Sequence, residues 1–413
     1  MLLSKLIYKN YLLYLISIFL LYYVVNESFF NFGGEDFRIF IGVSKLMLLQ
    51  QPLYNQSIDL GKGISQLYSY PPFLAFTLIP FVNLISEKSM VAIWQFLNLF
   101  LVFRIVIFST FLFDFLEEKK LKWIVNLTLL IVLRFLMHNF DLAQMNIFIL
   151  YLCLESYYQY QEKNNKILAS ILIAIGISIK LIPIVVLYYY LIKKDNKFVF
   201  QVIIWVLIIL LLPFIFFPFD YLSSLYEICW SKINPFQTKF NSEIAIYSQG
   251  LSSVSVLLFK LLNIETVFNI VLFINTMRGV LLLYIYKIWK SSRENSKMNQ
   301  YILFSICCIS MSLFMPHQSH YSFVSIFPLI LYILYKFSGF NLGYLNKFLF
   351  LMSLIFLIVS SELFVGKQFK YVCLEYQSLS FGSILLIILT SRITSRIYPS
   401  SNHILSSLSG SKL

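Results

Sequence analysis

Two carboxylates follow a pair of glycines in Gly33-Gly34-Glu35-Asp36, and the chain then reads Phe37-Arg38-Ile39-Phe40. A helical stretch leads on to Gln51-Pro52-Leu53-Tyr54, and a polar loop to Tyr68-Ser69-Tyr70-Pro71-Pro72. A positioned carboxylate can take the proton of an attacking hydroxyl, so Asp36, with Glu35 beside it, is a candidate general base. Arg134, His138, Asp141, Gln144 and Asn146 gather around one later turn. Lys180 stands three residues before Pro183, and His317 and His320 lie in Met315-Pro316-His317-Gln318-Ser319-His320. Ionisable and amide groups among apolar residues are costly and mark candidate functional positions. Each also has a structural reading: Arg134 pairing with Asp141, Lys180 reaching for the interface, the histidines as satisfied turn residues. Tyr68 and Tyr70 fit an interfacial aromatic belt better than a sugar platform, although Tyr70 is kept as a candidate substrate contact, as is Gln249. Arg104 and Arg278 read as structural. No run of Asp, His or Cys has metal-ligand spacing.

The elements that carry these residues are dictated by composition. Of 413 residues, 59% are apolar and 12% charged, with mean hydropathy +0.79. A soluble domain carries about 25% charged residues. Long apolar runs separated by short basic patches imply an all-α polytopic membrane protein, because lipid offers the backbone no hydrogen bonds. The net charge of +13 sits mostly in short loops. There it orients helices, and no nucleic-acid partner is expected. The spacing predicts a first span at 11–25 and an interfacial helix ending at Pro52, within a first extracytoplasmic loop over 27–89. The apolar run 71–85 is too short to cross comfortably. If it crossed, every basic loop from Lys119 to Lys347 would fall outside, so it is read as re-entrant or surface-lying. Further spans are placed at 91–113, 123–137, 145–158, 167–180, 182–192, 198–217, 267–286, 301–315, 321–335, 348–359 and 378–390. That makes about twelve in a single integral domain over 1–413, with both termini cytoplasmic. A second large outer loop is expected over 218–262. Cys229 and Cys373 both fall in outer loops and are weighed as a disulfide pair. Under this topology the polar candidates line one outward face.

In order along the chain, Asp36-Phe-Arg-Ile-Phe40, Gln51-Pro-Leu-Tyr54, Tyr70-Pro-Pro-Phe73 with Pro80, Ala143-Gln-Met-Asn146, Ile179-Lys-Leu-Ile-Pro183 and the 316–320 turn resemble glycosyltransferase family 87 of the GT-C superfamily. The resemblance spans residues 1–328. Ala143 departs from the family's glycine, Ser248-Gln249-Gly250 stands in place of an Asn-Gln-Ser element, and the histidine pattern is shifted, which leaves His317 and His320 both open.

The resemblance implies the GT-C fold and a mannosyltransferase-like activity. The donor would be a polyprenyl-phosphate-linked sugar, the acceptor a glycolipid or glycan, and the site the extracytoplasmic face of the plasma membrane. It implies inverting transfer with Asp36 as the base, relayed or oriented by His320. Lys180 and Arg134 would bind the lipid phosphate, and Gln144 and Asn146 would hydrogen-bond sugar or phosphate. No metal or other cofactor is implied, since phosphate leaves without an acid. A transporter or lipid flippase, and a polysaccharide polymerase, are the rival classes. The first calls for two pseudo-equivalent halves, and the second for arginine-rich outer loops.

Overall fold

The computed structural model describes residues 6, 8–31, 33–59, 65–113, 115–233, 248–262, 267–291, 296–315, 318–339, 342–359 and 362–397. The chain is a bundle of helices. α1 (Tyr11–Val25) starts where the Asn10 side chain accepts from the Leu13 amide, and it runs on into a π-helical turn, Asn26–Asn31. α2 (Glu35–Leu48) buries Phe37, Phe40, Ile41 and Ser44, the face its sequence spacing predicts. A small antiparallel hairpin follows, β1 (Ser57–Asp59) and β2 (Ser65–Leu67), with Ile58 opposite Gln66. Sequence spacing had not revealed it.

α3 (Pro72–Val82) has 11 residues, about 16 Å of helix. Tyr70 precedes it in the cavity wall described below. Glu87, which opens α4 (Glu87–Thr110), pairs with Arg38 of α2 at 2.5 Å. Both flanks of α3 are therefore held against α2, Tyr70 on Phe40 and Glu87 on Arg38. α5 (Glu118–Asp141), α6 (Asn146–Gln161) and α7 (Lys166–Ile179) come next. After α7 the chain breaks at Lys180, makes a 3-10 turn (Ile182–Val186) and continues as α8 (Leu187–Ile192). α9 is Asn196–Leu211.

The interval expected as a second outer loop contains two helices, α10 (Phe219–Ile233) and α11 (Leu251–Leu261). α12 (Val267–Ser291) precedes α13 (Lys297–Phe314), in which every residue from Tyr301 to Leu313 is buried. A helix apolar on all sides belongs in the middle of a bundle. A 3-10 turn (His320–Ile326), α14 (Phe327–Gly339), α15 (Tyr344–Ile358), α16 (Glu362–Glu375) and α17 (Ser378–Ile397) complete the described chain. α6 packs on α7, α7 on α9, α2 on α3 and α15 on α17.

Among the described residues, six helices are long and apolar enough to cross a bilayer, or seven if the bent pair 368–375 and 378–394 is one span. Of the expected spans, 167–180, 182–192 and 348–359 are shorter apolar helices, and the break expected at Lys180 is present. The fold is all-α and polytopic. One end of it collects basic loops: Lys166 pairs with Asp195 at 2.6 Å and Lys297 with Glu162 at 2.8 Å, while Lys193 meets Gln300 at 2.9 Å. Lys122 donates to the Tyr8 carbonyl at that end too. Cys229 and Cys373 are both free thiols, and Cys229 is buried against the Tyr70 carbonyl, so no disulfide joins them.

Candidate active site

The turn between α5 and α6 is the point from which the site is built. A helix end leaves carbonyls without intrahelical partners, and here other elements supply the donors. Gly34 N–H donates to the Asp141 carbonyl at 2.7 Å, Gln95 Nε2 to Phe140 at 2.8 Å and Trp94 Nε1 to Ala143 at 3.0 Å. Gly34 has φ +86, and a Cβ there would come within 2.6 Å of Val91 Cγ1. Only glycine serves at this junction, and it aims the first turn of α2, with Glu35 and Asp36, at the turn. Acidic side chains suit a helix N-terminus, where the free N–H groups are positive. Ala143, the departure from the family's glycine, sits in the left-handed region at φ 49.

Inside the turn, Asn139 donates to the carbonyls of Phe135 and Tyr321 at 2.6 and 2.8 Å. Asn146 Nδ2 reaches Asn139 Oδ1 at 3.3 Å, and Lys180 Nζ donates to Asn146 Oδ1 at 3.1 Å. Lys180 lies over the rings of Tyr70 and Tyr321, 5.4 and 5.9 Å from their centroids. Gln144 is buried, with its side chain against the Tyr321 hydroxyl.

Beside this network opens a cavity of about 500 Å³. Its walls include Asp36 and Phe40 from α2, Tyr68 and Tyr70 ahead of α3, His138 from α5, Ser319, His320 and Tyr321 at the 3-10 turn, and Lys370 and Tyr371 from α16. His138 stacks on His320 at 3.8 Å between ring centroids. Asp141 lies 3.3 Å from His138 Nδ1 and also receives the Tyr23 hydroxyl, so it is these groups that hold it, and the expected pairing with Arg134 is replaced. Arg134 donates to the Leu357 carbonyl at 3.2 Å and lies close enough to His320 to act on its charge.

Burial pushes the Asp36 carboxyl up to about 6. Lys180 opposes this by favouring the charged form, and Glu35 adds to it. A base poised at that value is ionised in neutral water yet still basic enough to accept a proton.

The structure thus brings together Asp36, Tyr70 and His320 on one cavity, with Lys180, Asn146 and Gln144 one layer behind and Arg134 beside His320. Glu35 neighbours Asp36 without lining the cavity. Gln249 does not line the cavity: its Nε2 donates to the Leu374 carbonyl at 2.8 Å, and its backbone bridges to Gln318. His317 lies outside the described residues. Tyr68 and Tyr70 do not form an interfacial belt. They pack with Phe40 and Tyr54 in a buried aromatic wall, with Phe40 and Tyr70 centroids 4.9 Å apart. Sequence reasoning missed Lys370, Tyr371 and Tyr321. The available signal for the first two was a short charged interval, Gly366-Lys367-Gln368-Phe369-Lys370, between two apolar runs.

A model of glycosyltransferase family 87 matches residues 68–316. The matched stretch takes in Tyr70, Arg134, Gln144, Asn146, Lys180 and Gln249, and it stops short of Asp36, His320 and Lys370. No curated protein and no solved structure matches the chain. With more than half of its length matched, the chain belongs to glycosyltransferase family 87.

Proposed function

We propose that this membrane glycosyltransferase moves a hexose, mannose by family analogy, from a polyprenyl-phosphate sugar to a lipid-linked or glycan acceptor, with inversion and with Asp36 as general base. The observation that carries this reading is the placement of Asp36: a carboxyl raised to about 6 by burial, on a cavity that also presents His320 and an aromatic wall. Inversion needs one base, on the sugar face opposite the leaving phosphate. Asp36 takes the proton of the acceptor hydroxyl while His320 orients the reactants. Tyr70, backed by the buried Phe40 and Tyr68, offers an aromatic face for the sugar ring. Phosphate leaves without an acid catalyst, so neither metal nor organic cofactor is invoked.

The reacting face is proposed to be extracytoplasmic in the plasma membrane, with both termini cytoplasmic. The support is that the basic connections gather at the end away from the cavity, and such loops stay inside. A transporter would expose its polar groups alternately to both sides, whereas the groups named here sit together at one end.

Membranes carrying the protein, supplied with labelled polyprenyl-phosphate sugars, test the proposal. The wild type transfers label to an endogenous acceptor. Asp36→Asn loses about a hundredfold or more in rate, the usual worth of a positioned base. Full activity in Asp36→Asn removes the base assignment.

A further inference from the structure

Charge is unevenly placed around the cavity. Among the described residues that line it, Asp36 is the acidic one and Lys370 the only lysine or arginine. Lys180, expected from the sequence to meet phosphate, lies against Tyr70 and Tyr321, hydrogen-bonds Asn146 and acts on Asp36. Lys370 and Arg134 instead act on His320. Asp36 is thus balanced by Lys180, while the cations Lys370 and Arg134 face His320 with no carboxylate acting on it.

An inverting displacement makes that division meaningful. The acceptor oxygen bonds the anomeric carbon from one face while the bond to the phosphate oxygen breaks on the other. The electron pair of the broken bond stays with the phosphate, and the acceptor proton goes to Asp36. The donor phosphate is a diester with one negative charge. It departs as a monoester that gains a second, and a cation waiting there stabilises the charge as it develops. A phosphate held on Lys180 would crowd the Asp36 carboxylate on its own side. A phosphate at Lys370 meets a cation of the cavity wall that, unlike Lys180, does not act on the base.

We propose that Lys370 binds the phosphate of the lipid-linked donor and receives it as the leaving group. The proposal rests on the transferase reading for the step and on the cavity for the site. The backbone gives Lys370 its own mounting. The half-helix 368–375 is bent 56° from α17, and left-handed residues flank it at Gly366 (φ +75) and Gln377 (φ +59). That separate short helix is what carries Lys370, Tyr371 and Leu374 to the cavity wall.

Binding of farnesyl phosphate to the purified full-length protein in detergent tests the site without requiring turnover, with farnesol and inorganic phosphate as separate arms. Wild type is expected to bind farnesyl phosphate better than either control, which distinguishes a lipid headgroup from free phosphate. Lys370→Gln is expected to weaken farnesyl phosphate binding about tenfold or more, the usual loss for a charge-assisted contact. Lys370→Arg is expected to stay within about threefold, since it keeps the charge. Unchanged affinity in Lys370→Gln, or a wild type that prefers farnesyl phosphate to neither control, overturns the proposal. Lys370-dependent binding by a wild type that transfers no sugar upholds the anion site and removes the transferase reading instead.

Discussion

Asp36 carries the sharpest prediction at the scale of single residues. Its carboxyl is raised to about 6 from an ordinary 3.8, with burial as the largest cause. Around it stand Glu35 on its own helix, Lys180 at the end of α7, and, on the wall of the same cavity, Tyr70, Tyr321, His138, His320 and Lys370. As a base it works ionised, so kcat/KM is expected to rise as pH passes through about 6. Lys180 favours the ionised form, so Lys180→Met is expected to move that acid limb to higher pH. A limb that stays in place shows that Lys180 acts only through packing. Stability runs the other way. Between pH 3.8 and about 6 the folded protein holds a proton that the unfolded chain has released, so stability contributed at low pH is lost as pH rises through this window. Asp36→Asn removes that loss, and above pH 6 its melting temperature is expected to equal or exceed that of wild type. A lower value contradicts the burial account. Asp36 was legible in the sequence through the resemblance carried by Asp36-Phe-Arg-Ile-Phe40, since by residue type alone a Glu-Asp pair also suits a helix N-terminus. Lys370 was not, because one lysine in a short polar interval looks like any loop charge until α16 is seen to turn inward.

The junction of α2 with the α5–α6 turn decides where Asp36 points. Gly34 combines φ +86, a 2.7 Å hydrogen bond to the Asp141 carbonyl and no room for a Cβ beside Val91. Gly34→Ala is expected to cost about 1–2 kcal/mol for the left-handed backbone alone, with more from the clash. Because the displaced helix carries the base, activity should fall further than the drop in folded protein explains. Measuring thermal unfolding beside specific activity separates the two, and an active, fully stable Gly34→Ala would show that the junction relaxes freely. Periodicity made α2 visible, and the length of the 71–85 run made α3 recognisable as short. It could not reveal α10, α11 or α16. These helices are amphipathic pieces between longer apolar runs, and their fit depends on the tertiary surface they cover, as Tyr221 of α10 donating to the Gln51 carbonyl shows. The aromatic wall was hidden for a related reason: Tyr68 has the composition of a belt residue, and only folding closes Phe40, Tyr54 and Tyr70 over it.

Across the whole molecule, everything proposed depends on one polarity: catalytic groups at one end, basic loops at the other. Charge counting reaches that arrangement only if the short helix α3 returns to the side it left. Both its flanks rest on α2, Tyr70 against Phe40 and Glu87 against Arg38. Substituted-cysteine labelling tests this directly, because the native thiols are buried except for the half-buried Cys373, which Cys373→Ser removes. In that background Gln51→Cys and Asn83→Cys, exposed positions on either side of α3, are expected to react with an impermeant maleimide on intact cells. Lys197→Cys, exposed at the start of α9 among the basic loops, should react only after permeabilisation. Gln51→Cys and Asn83→Cys labelling from opposite sides would make α3 a true span and place the later loops outside. Asp36 and Lys180 would then be separated by the bilayer rather than joined beside one cavity, and the base assignment could not stand.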